Sequence, residues 1–354
     1  MKALYGTSRL AVILFLTAGS VWFFVSNRNT SAAAGPSGYH LVKKVHLGGE
    51  GFWDYFAIDT SARHLFVTHN THVMVIDADS GELVGDVVDA KIRGVHGVAV
   101  VEDSNRGFTS NGETDSVTIF DLKTFKPLDS VSTGKAPDAI IYDRASHRVF
   151  TFNGKGQDST AIDAATGKID GTIALGGKPE FAAADGAGGV YVNIEDKNEV
   201  VAIDSRGLKV SKRWPVAPCD EPAGMAIDAE HSRLFIGCHN KMMAVLDTKT
   251  GKVVATPPIG GRVDANRFDP GTALAFSSNG DGTLTVIHED APDKYTVIEN
   301  VATEIGARTL EIDPKTHNVY LVTADLKPTP PTPENPHPYP TVVPGTLRLL
   351  IFAK

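Results

Sequence analysis

The sequence predicts an all-β, seven-bladed β-propeller of four-stranded antiparallel blades, closed by an N-terminal strand that completes the last blade. Three observations predict it. A strand–turn–strand phrase with an aspartate at the turn recurs about every 42 residues, within the ~40–45 of a four-stranded blade. A second phrase, two apolar runs joined by a polar turn, precedes each copy and can be counted seven times. The C-terminal end then runs out one strand short, and the region near Tyr39 matches what is missing.

The first phrase reads Val75-Ile76-Asp77-Ala78-Asp79-Ser80-Gly81, Ile119-Phe120-Asp121, Ala161-Ile162-Asp163-Ala164-Ala165-Thr166-Gly167-Lys168, Ala202-Ile203-Asp204 and Val245-Leu246-Asp247-Thr248-Lys249-Thr250-Gly251-Lys252. Asp and Gly supply the tight-turn chemistry between antiparallel strands. A sixth copy, Val286-Ile287-His288-Glu289-Asp290, is degraded. The second phrase follows Trp53, Val95, Pro137, Pro179, Pro222, Val263 and Ala307, as in Ile140-Ile141-Tyr142-Asp143 followed by Val149-Phe150-Thr151. Runs this apolar suit strands buried on both faces between neighbouring blades. Blade seven has inner strands in 310–323 and a third strand in 346–352. Residues 39–49 would add its fourth and hide the open edges.

Residues 1–34 read as a signal peptide or an N-terminal anchor. Lys2 and Arg9 precede a largely apolar run, and Ser31-Ala32-Ala33-Ala34-Gly35 offers a small-residue cleavage site. Residues 35–38 are a short linker, and 39–354 are a single propeller with a proline-rich loop at 327–344. Basic residues before the apolar run place the remainder outside the cytoplasm, in the periplasm or secreted. Removing the segment takes away three basic residues and no acids, moving the net charge from −8 to −11. So acidic a chain has no electrostatic footprint for nucleic acid. It has no basic amphipathic stretch for a membrane surface either, which leaves an uncleaved anchor as the one membrane contact. A monomer is the expectation.

The Asp-x-x-Thr-Gly-Lys hairpins, with the junctions Gly134-Lys135-Ala136-Pro137-Asp138-Ala139-Ile140 and Gly177-Lys178-Pro179-Glu180-Phe181-Ala182, resemble the YVTN repeats of YncE-like propellers. The resemblance covers nearly the whole chain after the N-terminal segment. It implies an extracytoplasmic propeller and supplies no activity, because its motifs identify blades.

Aligning the inner strands gives one equivalent residue per blade at the mouth of the central channel: Asp54, His96, Asp138, Glu180, Ala223, Asp264 and Arg308. Packing alone calls for small or apolar residues there, so this set predicts a polar, ligand-binding mouth. The carboxylates Asp54, Asp138, Glu180 and Asp264 would raise one another's pKa unless compensated. They suit a hard divalent cation such as Ca²⁺, or a cationic or polyhydroxylated small molecule. Arg308 can clamp a carboxylate. Trp53 and Tyr55, flanking Asp54, can stack a ring or pack between blades. His96 is a metal ligand, an acid–base group or a hydrogen-bonded histidine.

On the same face, loops between second and third strands carry His69, Asn70, His72, Asn111, Asn153, Asn193 and His239. The asparagines read first as turn residues tolerant of left-handed backbone. His69 and His72 form a metal pair lacking a clear third ligand. Counting outward from the blade-five turn puts Ala223 opposite Cys238, so Cys219 reaches Cys238 only if its loop folds back. A disulfide, free thiols and a soft-metal site with His239 all remain open. The proline-rich loop is a stiff surface loop or a lid over the mouth.

Two functions follow. The first is a binding or scaffold protein that uses the acidic channel face for a small molecule, a cation or a peptide. The alternative is a propeller-type lactonase or lyase with a divalent cation and His96 as acid or base.

Overall fold

The computed structural model describes residues 37–330, 332 and 340–354. The segment read as a signal or anchor, part of the linker and the tip of the proline-rich loop lie outside these residues. Seven four-stranded antiparallel sheets follow one another along the chain, with one extra two-stranded ribbon. Six blades are continuous: 56–88, 95–132, 137–174, 179–215, 222–255 and 263–302. Blade seven combines Leu310–Ile312, Val319–Thr323 and Arg348–Ala353 with the N-terminal strand His40–His46. First strands of neighbouring blades touch all the way round, blade seven's against blade one's included, so the ring is closed about one axis. His40 lies opposite Ala353 and His46 opposite Arg348, the closing strand the sequence predicts.

The turn aspartates act as the repeat implies. Asp77 Oδ1 accepts the amides of Asp79 and Ser80, Asp121 Oδ1 those of Lys123 and Thr124, and Asp247 Oδ1 those of Lys249 and Thr250. Each carboxylate satisfies backbone donors that a two-strand hairpin leaves unpaired. Blade six, where the phrase is degraded, lacks this stop. Its third and fourth strands run on to nine residues each, Thr283–Ala291 and Lys294–Ala302.

Every second strand carries one aromatic residue at the same place: Phe66, Phe108, Phe150, Tyr191, Phe235, Phe276 and Tyr320, all buried. These rings fill the wedges between blades. Truncating one to alanine removes about 3–5 kcal/mol. Trp53 joins this packing, in a cluster with Phe56 and Tyr320 where blade one meets blade seven.

First and second strands pair with a β-bulge near their upper end in blades two to six, between Val95 and Val98, Pro137 and Ile140, Pro179 and Ala182, Pro222 and Met225, and Val263 and Ala265. The bulge corrects the count made for blade five: Pro222, rather than Ala223, stands opposite Cys238. A glycine is needed in that bulge, since a Cβ at Gly224 would lie 2.8 Å from the Asn266 amide nitrogen of blade six.

The asparagines of the upper loops also need correcting. Asn70 alone among them takes left-handed backbone. Asn111, Asn153 and Asn193 are fully buried at strand ends. Asn111 and Asn153 accept from Thr109 and Thr151 and donate to Thr118 and Thr160, so they lock hairpins from inside. Leu326–Lys327 pairs with Thr341–Val342, giving the proline-rich loop a two-stranded stem. Among the described residues no helix is long and apolar enough to cross a membrane.

Candidate functional site

His96, Asp138, Glu180, Ala223 and Asp264 are the first residues inside the five bulges. A bulge sets two residues against one and re-aims the first side chain, here into the channel mouth. Hydroxyls of the second strands hold the arrangement. Thr68 Oγ1 accepts the Asp54 amide at 3.1 Å and donates to the Tyr55 carbonyl at 2.9 Å. Ser110 Oγ accepts the Gly97 amide at 2.9 Å and donates to the Asp138 carbonyl of the next blade. Ser278 does the same for the Arg308 carbonyl. Asp138 and Arg308 are thus positioned in part by the blade before their own.

Asp54, His96 and Asp138 form one cluster. The His96 Nδ1–H donates to Asp54 Oδ2 at 2.7 Å, with Asp138 Oδ1 at 3.6 Å. Each of the three offers a ligand atom within 4.8 Å of the others. Glu180 and Asp264 stand outside this group, so the four carboxylates read as one oxygen cage do not assemble as a single ligand set. Instead, Glu180 faces Lys178 at 3.5 Å, and Lys178 also pairs with Glu195. Arg308 lies 3.2 Å from Asp264. Lys178 and Glu195 were not singled out in the sequence. Lys178 belongs to the Gly-Lys-Pro-Glu junction, whose regularity concealed it, and nothing local marks Glu195.

The aromatic residues do not offer a stacking face. Trp53 is 5 % exposed in the wedge between blades, and Tyr55 is 7 % exposed. Tyr55 meets Phe181 edge to face, centroids 4.7 Å apart, and its hydroxyl points up at Glu180 Oε1, 3.5 Å away. A cavity of about 300 Å³ is bordered by Tyr55, Phe181, Arg267 and Glu311. There Arg267 pairs with Glu311 at 2.8 and 3.0 Å and lies 5.0 Å from the Phe181 ring centroid.

Burial dominates the electrostatics. It would lower the His96 imidazole, but the hydrogen bond to Asp54 and the charges of Asp138, Asp54 and Glu180 outweigh it and push the ring up to about 9. Burial lifts Asp138 to about 6, against the pull of His96 and with help from Asp54 and Asp264. Glu180 is held well above the usual carboxylate range by burial and then by Asp138. Burial raises Asp264 as well, with Arg308 opposing. Glu180 Oε2 is buried and has no hydrogen-bond donor, although Lys178 lies within ion-pair distance.

These shifts predict a pH dependence. A histidine raised in the folded state contributes stability fully below its unfolded value of about 6.5 and loses it as pH climbs through about 9. With the His96 ring 38 % exposed, solvent screening reduces the contribution to about 1 kcal/mol. Urea midpoints should fall between pH 6.5 and 9 in the wild type and stay flatter in His96→Asn. Equal slopes in both would show that the ring does not carry it.

The other upper-face residues are placed as follows. His69 is fully buried, its ring centroid 5.0 Å from that of His72, and burial and then His72 lower it to about 4. His72 Nε2 is 3.8 Å from Asp86. His239 pairs with Glu221 at 2.8 Å. Cys219 and Cys238 are joined by a disulfide with Cα atoms 5.4 Å apart, the loop having folded back to reach.

No protein-family model and no curated protein sequence matches this chain. Among solved structures it is similar to one titled Kuenenia stuttgartiensis hydrazine synthase, with a TM-score of 0.66 and 15 % identity. The match covers 78 % of this chain and 94 % of that one. At that identity the likeness shows the propeller fold alone.

Proposed function

We propose that this is an exported propeller that binds a small organic cation, such as an amine or ammonium compound, in its acidic channel mouth. The observation that carries the reading is the charge balance of the channel mouth. Among the described residues Asp54, Asp138, Glu180, Glu195 and Asp264 make ion pairs with His96, Lys178 and Arg308, and His239, which also acts on Asp264, is paired with Glu221, so acids outnumber bases by two. Excess carboxylate in a partly dehydrated site favours protonation or a bound cation. Tyr55 and Phe181, each next in sequence to a mouth acid, are buried against each other, which keeps water away from the carboxylates on that side. The lactonase or lyase reading needs His96 as an acid or a base, and the base role calls for a neutral ring. A ring held near 9 between two aspartates is protonated at neutral pH, which favours binding over base catalysis. Export is supported by the character of residues 1–34 and by the resemblance to YncE-like repeats.

Thermal shift with spermidine, choline and Ca²⁺ as probes tests this. One of the organic cations should stabilise the wild type, and Asp138→Asn with Glu180→Gln should remove that gain. Capture should strengthen as pH rises through about 6, where Asp138 loses its proton. No stabilisation by any probe, or the same stabilisation in the variant, would overturn the proposal.

A further inference from the structure

A second cluster lies on the opposite face, where first strands turn into second strands. There too an aspartate ends the strand and organises the turn. Asp59 Oδ1 accepts the amides of Ser61 and Ala62, Asp228 Oδ1 those of Glu230 and His231, Asp269 Oδ1 that of Gly271, and Asp313 Oδ1 that of Lys315. The repeat allows these sites to be compared. In blade seven the following blade supplies a cation to the buried aspartate, Arg63 at 2.6 Å from Asp313. In blade six the following blade again supplies a basic group, His317 at 2.7 Å from Asp269. In blade five it supplies a second acid. Glu289 of blade six, at the position held by Ala78, Ala164 and Thr248 in other blades, stands against Asp228, and both side chains are only 4 % exposed.

Two buried carboxylates in contact require a cation or a proton between them. His231 closes the group, its Nδ1 2.6 Å from Asp228 Oδ2 and 3.9 Å from Glu289 Oε1. One ligand atom from each residue lies within 4.8 Å of the others. Arg233 is committed elsewhere, to Asp293 at 2.7 Å, the Pro292 carbonyl at 2.7 Å and Asp247 at 3.2 Å. An open cavity of about 340 Å³ adjoins the group, with Phe268 and Pro292 among its walls.

We infer that Asp228, His231 and Glu289 form a site for a divalent ion of the Zn²⁺ type, held by two carboxylates and one imidazole. An imidazole with two carboxylate oxygens suits such a borderline ion, and three protein ligands leave a coordination position facing the cavity. Binding displaces the proton on His231 Nδ1 and any proton shared by the carboxylates, so uptake releases protons.

The test is calorimetric titration of the chelator-treated full chain with Zn²⁺ alone, comparing wild type, His231→Ala, Glu289→Gln and Asp54→Asn/Asp138→Asn. The expected result is binding that persists in the channel-mouth variant and weakens at least about tenfold in each of the other two. Glu289→Gln relieves like-charge contact, so its metal-free unfolding midpoint should equal or exceed the wild type's, while its gain on adding Zn²⁺ should vanish. His231, 44 % exposed, carries the test should Glu289→Gln fold poorly. Undiminished binding in His231→Ala, or no binding by the wild type, would overturn the inference. Loss of binding in the channel-mouth variant alone would move the metal to the other face and also overturn it. Organic-cation capture at the mouth would be untouched by His231→Ala, so the two proposals fail separately.

Discussion

Deleting the chain through Leu47 is expected to cost most of the fold's stability. The strand His40–His46 buries little itself, but it pairs along Arg348–Ala353 and closes the ring. Just before it, Tyr39 is 3 % exposed. Its hydroxyl donates to the His317 carbonyl at 2.8 Å, and its ring meets Phe276 edge to face at 5.2 Å. Losing five or so ladder hydrogen bonds removes about 5 kcal/mol. Losing the tyrosine anchor removes about 3 kcal/mol more. That sum is comparable to the ~5–15 kcal/mol of a typical domain, and the deletion also bares the edge at 348–353 for association. The truncated chain should unfold far below the full chain and scatter light on warming. Tyr39→Ala should fall between them. An unchanged midpoint after truncation would mean that ring closure contributes little.

The second large effect concerns Cys219 and Cys238. They lie 19 residues apart, and both are buried. Constraining a loop of that length in the unfolded chain stabilises the fold by about 3 kcal/mol. The double variant Cys219→Ser/Cys238→Ser should lose about that much in urea unfolding. The wild type under reductant should lose a similar amount, since the entropic term disappears by either route. The bridge also ties down the segment bearing Glu221, which pairs with His239 beside the mouth. Variant and wild-type midpoints that coincide would show that the loop is held by its other bonds, such as Asn240 Nδ2 to the Pro218 carbonyl at 2.8 Å.

The mouth residues were legible in the sequence because each stands at a constant offset from the end of its first strand, inside the bulge in blades two to six. That offset survives in the repeat even where the residue type changes. Their partners were not legible. Asp54 meets His96 from the next blade, and Ser110 supports Asp138 from the next blade again. Such contacts join residues tens of positions apart whose meeting depends on how tightly the blades turn about the axis. Trp53 and Tyr55 illustrate the limit. They flank the same aspartate, and strand alternation would send both to one face, yet residues 53–55 precede the first strand, and Trp53 packs in the wedge between blades while Tyr55 packs against Phe181.

The periodic pattern was sufficient by itself to determine the number of blades, the supply of the missing strand by the N-terminal end, and the ring of polar residues at one opening. These are short-range properties, written in turn chemistry and strand alternation and repeated often enough to be counted. Tertiary structure alone decided which charges neutralise one another. It also packed Tyr55 against Phe181 and brought Glu289 against Asp228. Those outcomes depend on distances between neighbouring blades, and electrostatic and packing energies change over a few ångströms that no linear spacing encodes.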